Sequence, residues 1–181
     1  DSLTLAKNNG IEYSQLRAST AVVTAKQHRS LLLNAKSVYP GTDLGLLLGL
    51  QRSIATHDQL AYLMISSATL REASNAGLKY QNYSGRFSGN LIVTSFSEIQ
   101  SQGCYQVDAK EALADLKIMA TEDILANIVT TARWVLGRAL PITKLRCHYP
   151  APLHHEKYRE IFQCPIEFDA PATQLFFDAN I

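Results

Sequence analysis

Apolar and polar positions recur with a helical period through the first 82 residues and shift toward a strand period after Tyr83-Ser84-Gly85. Leu31, Leu32, Ala35 and Val38 recur at helical spacing and stop before Pro40-Gly41, which predicts an amphipathic helix ending there. Three helix starts carry a Thr followed three residues later by Gln or Glu: Thr24/Gln27, Thr56/Gln59 and Thr69/Glu72. In such a box the hydroxyl accepts a free first-turn N–H and the longer side chain reaches back to the cap. Leu44 to Leu50 read as a short, strongly apolar helix. Its Gly45 and Gly49, one turn apart, leave a flat side on which a neighbouring helix is expected to pack closely.

In the second part, Leu91-Ile92-Val93-Thr94 and Cys104-Tyr105-Gln106-Val107 flank a polar turn at Gln100 to Gly103, the pattern of a hairpin. A long helix is predicted from Leu116 to Gly137, with Ile118, Leu125, Ile128, Val129 and Ala132 on one stripe. Gly137 suits its left-handed end and Pro141 prevents continuation. A third strand is expected over Ile142 to Tyr149, then a short helix from His154 to Gln163, then strands near Ile166 and at Leu175 to Phe177. The fold class is α+β. An N-terminal helical half, residues 1–82, packs on a C-terminal antiparallel sheet, residues 83–181, crossed by one long helix. The two halves are expected to share a core as one domain.

Charge narrows the function. With 17 basic against 16 acidic residues the net charge is +1, and no Lys/Arg cluster stands out. Phosphate binding needs a concentrated basic face, so this chain is not expected to hold nucleic acid itself. Cys104, Cys147 and Cys164 are widely spaced and lack metal spacing, and are expected to be reduced thiols. No apolar run reaches the roughly 18 residues of a membrane span, and a cytoplasmic setting is expected.

Catalytic patterns are absent from the sequence: there is no HExxH, CxxC, GxSxG or phosphate-cradling glycine loop. Cys147 and His148 are neighbours on a strand and point to opposite faces, so they cannot form a ligand pair. His154-His155 are expected at a solvated helix start, Glu122-Asp123 in the first turn of the long helix, and Trp134 in the core. No metal or cofactor is expected. A pocket for a small molecule fits what remains, because such pockets are mostly apolar with a few orienting polar groups. The residues placed at the seam of helices and sheet are Tyr62, Tyr80, Arg86, Arg146 and His148, with Tyr83 beside them. Arg86 and Arg146 would favour an anionic effector, with Glu72 or Asp108 as alternative protein partners.

Three ordered blocks carry a resemblance. They are Asp43-Leu44-Gly45-Leu46-x-Leu48-Gly49; then Leu60-x-Tyr62-x-Met64-x-Ser66-Ser67-Ala68-Thr69-Leu70-Arg71-Glu72-Ala73, with Tyr80 following; and the tail. The tail reads His148-Tyr149-Pro150-Ala151-Pro152, then Tyr158-Arg159-x-x-Phe162-x-Cys164-Pro165-Ile166-x-Phe168, then a phenylalanine-rich strand. Together they resemble the N-terminal regulatory, arabinose-binding-like domain of AraC-type transcription regulators. The resemblance implies a sensory domain that binds an unknown small-molecule effector and forms a homodimer. It would act on DNA through a helix-turn-helix module that this chain does not contain. A further module is expected after the strand exit at Asp178 to Ile181. A small enzyme with a cryptic site and a ligand-free interaction scaffold are the alternatives.

Overall fold

The computed structural model describes residues 11, 14, 24–53, 59–80 and 91–180. Among the described residues four helices precede the sheet: α1 (Ala25–Val38), α2 (Leu44–Gln51), α3 (Gln59–Ile65) and α4 (Leu70–Lys79). The α1 box is complete, with Gln27 N donating to Thr24 Oγ1 (3.2 Å) and Thr24 N to Gln27 Oε1 (2.9 Å). At α4, Glu72 N donates to Thr69 Oγ1 (3.2 Å), while the Glu72 carboxylate accepts from Ala68 N (2.9 Å). Thr56, of the third predicted box, lies outside the described residues.

The hairpin β1 (Ile92–Ile99) and β2 (Gln102–Ala109) turns on Gln100 and Ser101, both with positive φ. That is the two-residue turn whose twist matches paired strands. A 3-10 turn over Glu111–Leu116 leads into α5 (Lys117–Leu136), which ends at Gly137 with φ 67°. After it come β3 (Ile142–Arg146), α6 (His155–Phe162), β4 (Ile166–Glu167) and β5 (Gln174–Asp178). The sheet order is β1-β2-β5-β3-β4. All pairs are antiparallel except β3 with β4, which is parallel, so the sheet is mixed at one edge. The last strand sits in its middle.

One face of the sheet is the core. Tyr105, Val107, Leu145, Leu175 and Phe177 are buried there against Leu125, Val129 and Ala132 of α5. Phe96, Tyr105 and Phe177 stack at 5.2 to 6.2 Å between ring centroids. α4 joins the same face through the Ser74 and Tyr105 hydroxyls and the Arg71–Glu98 ion pair. α2 lies on the other side of α5. A Cβ on Gly45 would strike the Met119 carbonyl, and one on Gly49 the Asp123 carbonyl. The two glycines therefore let backbones touch, as the sequence predicts.

Clamped from both sides, α5 is buried continuously from Met119 to Asn127. Glu122 and Asp123 lie inside that stretch, not in an exposed first turn. Trp134, by contrast, is 57% exposed on the turn that outruns the clamp, and is not a core residue.

Candidate functional site

The second face of the sheet is exposed to solvent along a ladder of polar side chains. Cross-strand partners share a face, and the register aligns Ser95, Gln106, Gln174, Arg146 and Glu167 in one row across all five strands. Gln174 Nε2 donates to Gln106 Oε1 (3.1 Å), and Gln106 Nε2 donates to both Asp108 oxygens (3.1 and 3.2 Å). At the other end, Arg146 Nε donates to Glu167 Oε2 (3.1 Å), which also receives Lys144 Nζ (2.6 Å). Lys144 and then Arg146 hold the Glu167 carboxyl below its usual range. The Arg146 guanidinium lies over the Phe176 ring, 5.7 Å from its centroid. Its Nη groups make no hydrogen bond among the described residues, leaving a donor fork over an aromatic floor.

His148 lies on the same side. Burial alternates from Leu145 to Tyr149, with Leu145, Cys147 and Tyr149 buried, Arg146 half-buried and His148 exposed. The His148 Nδ1 is 2.9 Å from the Ala170 carbonyl oxygen. A carbonyl can only accept, so Nδ1 carries the hydrogen and Nε2 is left facing outward.

The structure thus brings Arg146 and His148 together. It does not bring Tyr62 and Tyr80 to them. Tyr62 on α3 is 77% exposed, and Tyr80 caps α4 beside Lys79; both belong to the helices on the opposite side of the sheet. Arg86 and Tyr83 lie outside the described residues. Arg146 takes Glu167 as its partner, rather than Glu72 or Asp108.

A second constellation, inside the helical junction, is not visible in the sequence. Asp123, fully buried, receives a two-pronged contact from Arg52: Nε to Oδ1 (2.8 Å) and Nη2 to Oδ2 (2.5 Å). Burial, and then the Arg52 charge, hold the nearby His28 imidazole below its usual range. Glu122 accepts at Oε1 from Tyr158 (2.7 Å) and contacts His154 Nε2 (2.5 Å). His154 is therefore an inward-facing link and not a solvated helix start. One turn on from Asp123, the Asn127 amide nitrogen is buried with no hydrogen-bond partner among the described residues.

Two concavities are lined by described residues. A cleft of about 70 Å³ beside Arg71, Glu98 and Phe177 is too small for a metabolite. A shallow groove of about 720 Å³ runs between α6 and β4, floored by Cys164, Pro165, Ile166 and Phe168. His155 and Arg159, which line it, are both engaged by Glu156 (3.0 and 3.1 Å). Among the described residues no three His, Cys, Asp or Glu side chains could share a metal ion, and no helix is long and apolar enough to cross a membrane. All three cysteines are free.

Comparison with known proteins matches residues 1–181 to the family described as "Arabinose-binding domain of AraC transcription regulator, N-term". The ornithine utilization regulator of Pseudomonas aeruginosa is 27% identical over 143 residues, covering 78% of this chain and 40% of that protein. The crystal structure of the transcriptional regulator CdpR from Pseudomonas aeruginosa superposes with a TM-score of 0.64 at 14% identity. It covers 98% of this chain and 55% of that one, and at such identity it speaks to the fold alone.

Proposed function

Because the chain belongs to the arabinose-binding N-terminal domain family of AraC transcription regulators, we propose that it is a sensory domain whose effector binds on the open sheet face at Arg146. The chain spans 40% and 55% of the two regulators it matches. Control of DNA binding is accordingly assigned to a helix-turn-helix module outside these 181 residues. The carrying observation is the unused Arg146 fork, in register with Gln174 and Gln106 and beside His148. A guanidinium fork suits a carboxylate, which it can hold bidentately. The name of the relative concerns ornithine utilization, so carboxylate-bearing amino acids are the first effectors to screen.

A thermal-shift panel of amino and other small carboxylic acids tests this reading. A bound effector raises stability by roughly 2.7 kcal/mol at 100 times its dissociation constant. Arg146→Met should abolish the shift and leave the ligand-free melting temperature nearly unchanged, since Arg146 is half-exposed. A hit that survives Arg146→Met but disappears with Arg159→Met moves the site to the α6–β4 groove and overturns the assignment.

Dimerisation forms part of the same reading. Paired DNA half-sites are matched by two-fold protein symmetry, and Tyr62, Leu63 and Ile65 of α3 stand exposed. Leu63→Glu should shift the mass in light scattering from dimer to monomer. A monomeric wild type at high concentration counts against it.

A further inference from the structure

Glu122 projects from α5 into the junction and is 1% exposed. Its Oε1 meets the Tyr158 hydroxyl (2.7 Å) and His154 Nε2 (2.5 Å) at once. Tyr158 has one proton and gives it to Glu122. The Tyr149 hydroxyl, 3.0 Å away, must therefore donate to Tyr158. On the far side of the imidazole, His154 Nδ1 lies 2.9 Å from Thr42 Oγ1. Thr42 stands two residues before α2, and His154 is the cap residue of α6. One imidazole thereby ties three segments: the start of α2, the middle of α5 and the start of α6.

We propose that Glu122 and His154 hold one proton between them, and that its loss loosens a latch joining the start of α2 to the start of α6. Proton counting gives the reason. While the pair holds the proton, His154 Nδ1 carries a hydrogen and donates to Thr42, whether the shared proton sits on Oε1 or on Nε2. Once it leaves, the remaining imidazole hydrogen faces Glu122 and Nδ1 is bare. Thr42 must then turn its hydroxyl to donate. A bare carboxylate is left in the core against a neutral ring, which is costly without a compensating charge.

Among the described residues, the other groups around Glu122 do not supply that charge. Asp43, from the start of α2, is negative and favours the protonated carboxyl. Tyr158 and Tyr149 are held well above the usual phenol range by burial, and the Cys147 thiol is pushed up to about 12, so none of them ionises alongside. The Arg52 fork is committed to Asp123. Burial, opposed by the Tyr158 and His154 contacts, leaves Glu122 above its ordinary 4.5. The Glu122 carboxyl thus binds its own proton more tightly in the native state than in the unfolded chain. The stability it confers is complete below pH 4.5 and is lost as pH rises through the native value.

Denaturant unfolding of the wild type and Glu122→Gln across pH tests the latch. With its amide oxygen in place of Oε1, glutamine still accepts from Tyr158 and from a His154 Nε2–H, but it cannot titrate. Above pH 4.5 the wild-type unfolding constant should rise against the variant by up to about tenfold per pH unit, then level off. Parallel curves for the two proteins would overturn the proposal. If Glu122→Gln does not fold, His154→Gln serves, because the imidazole lowers the Glu122 value. Without it, the pH range of lost stability should extend upward, and an unmoved range would equally sink the idea.

Discussion

Replacing Gly49 by alanine tests whether α2 is seated on α5 backbone to backbone. The added methyl would fall on the Asp123 carbonyl oxygen, 2.7 Å from the Ala126 Cβ and 3.0 Å from the Asn127 nitrogen. Ordinary contact needs 3.4–4 Å, and none of these atoms can rotate away, because all lie in or next to a helix backbone buried on every side. α2 must therefore lift. Alanine gains about 0.5–1 kcal/mol in helix propensity, while overpacking a tight core costs typically 1–3 kcal/mol. The net loss is up to about 2.5 kcal/mol, which in a chain of this size lowers the melting temperature by up to roughly 10 °C. Gly77→Ala is the internal control. Its methyl would meet only the far end of the Met64 side chain, at 3.3 Å from Cε and 3.4 Å from Sδ, which can swing aside. That variant should keep the propensity gain and melt slightly higher. Circular dichroism melts and denaturant titrations of both variants at one pH give the comparison. A Gly49→Ala protein as stable as Gly77→Ala would refute direct backbone seating.

Arg52→Met should cost about 3–5 kcal/mol by leaving Asp123 buried without a partner, and adding Asp123→Leu should recover most of it; a double variant no better than the single one would contradict this. The Cys147 and Cys164 thiols, pushed up by burial to about 12 and about 11, should resist alkylation at pH 8 until the protein unfolds, as mass spectrometry of timed iodoacetamide reactions can show. Tyr105→Phe removes a hydroxyl bonded to Ser74, whose own hydroxyl still donates to the Leu70 carbonyl (2.6 Å); the expected loss in denaturant midpoint corresponds to about 0.5–1.5 kcal/mol.

Local chemistry made much of this fold readable. The Thr24 box, the turn between β1 and β2, and the left-handed Gly137 are set by residues within four positions of one another, and each is found where the pattern puts it. Strand alternation also places Cys147 inward and His148 outward. What a linear pattern does not carry is which face of a sheet a distant helix will cover. Tyr62 and Tyr80 looked like partners for Arg146 and His148 because all four flank the boundary between the helical and sheet segments. Ser74 instead ties α4 to Tyr105, on the opposite face from Arg146.

Glu122 and Asp123 fail to be read for a related reason. Acidic residues near a helix start are usually solvated and favoured by the helix dipole, and a one-sided apolar stripe predicts a polar outer face. α5 has no outer face from Met119 to Asn127, because Gly45 and Gly49 bring α2 against the side that the stripe leaves polar. Two carboxylates then lie in the core, and each requires a partner brought from far along the chain: Arg52 for Asp123, and His154 with Tyr158 for Glu122. The glycines and the buried acids are thus two halves of one arrangement. Close backbone approach creates the dry junction, and the dry junction makes these ion and proton contacts strong enough to fix how the helical half sits on the sheet. A signal generated at Arg146 on the open face would reach that junction through β3, whose exit segment carries Tyr149 to the Tyr158–Glu122 contact. α4 makes a second link, through Ser74 to Tyr105 and Arg71 to Glu98, so the Glu122–His154 pair holds one of the routes between the sheet and the helical half.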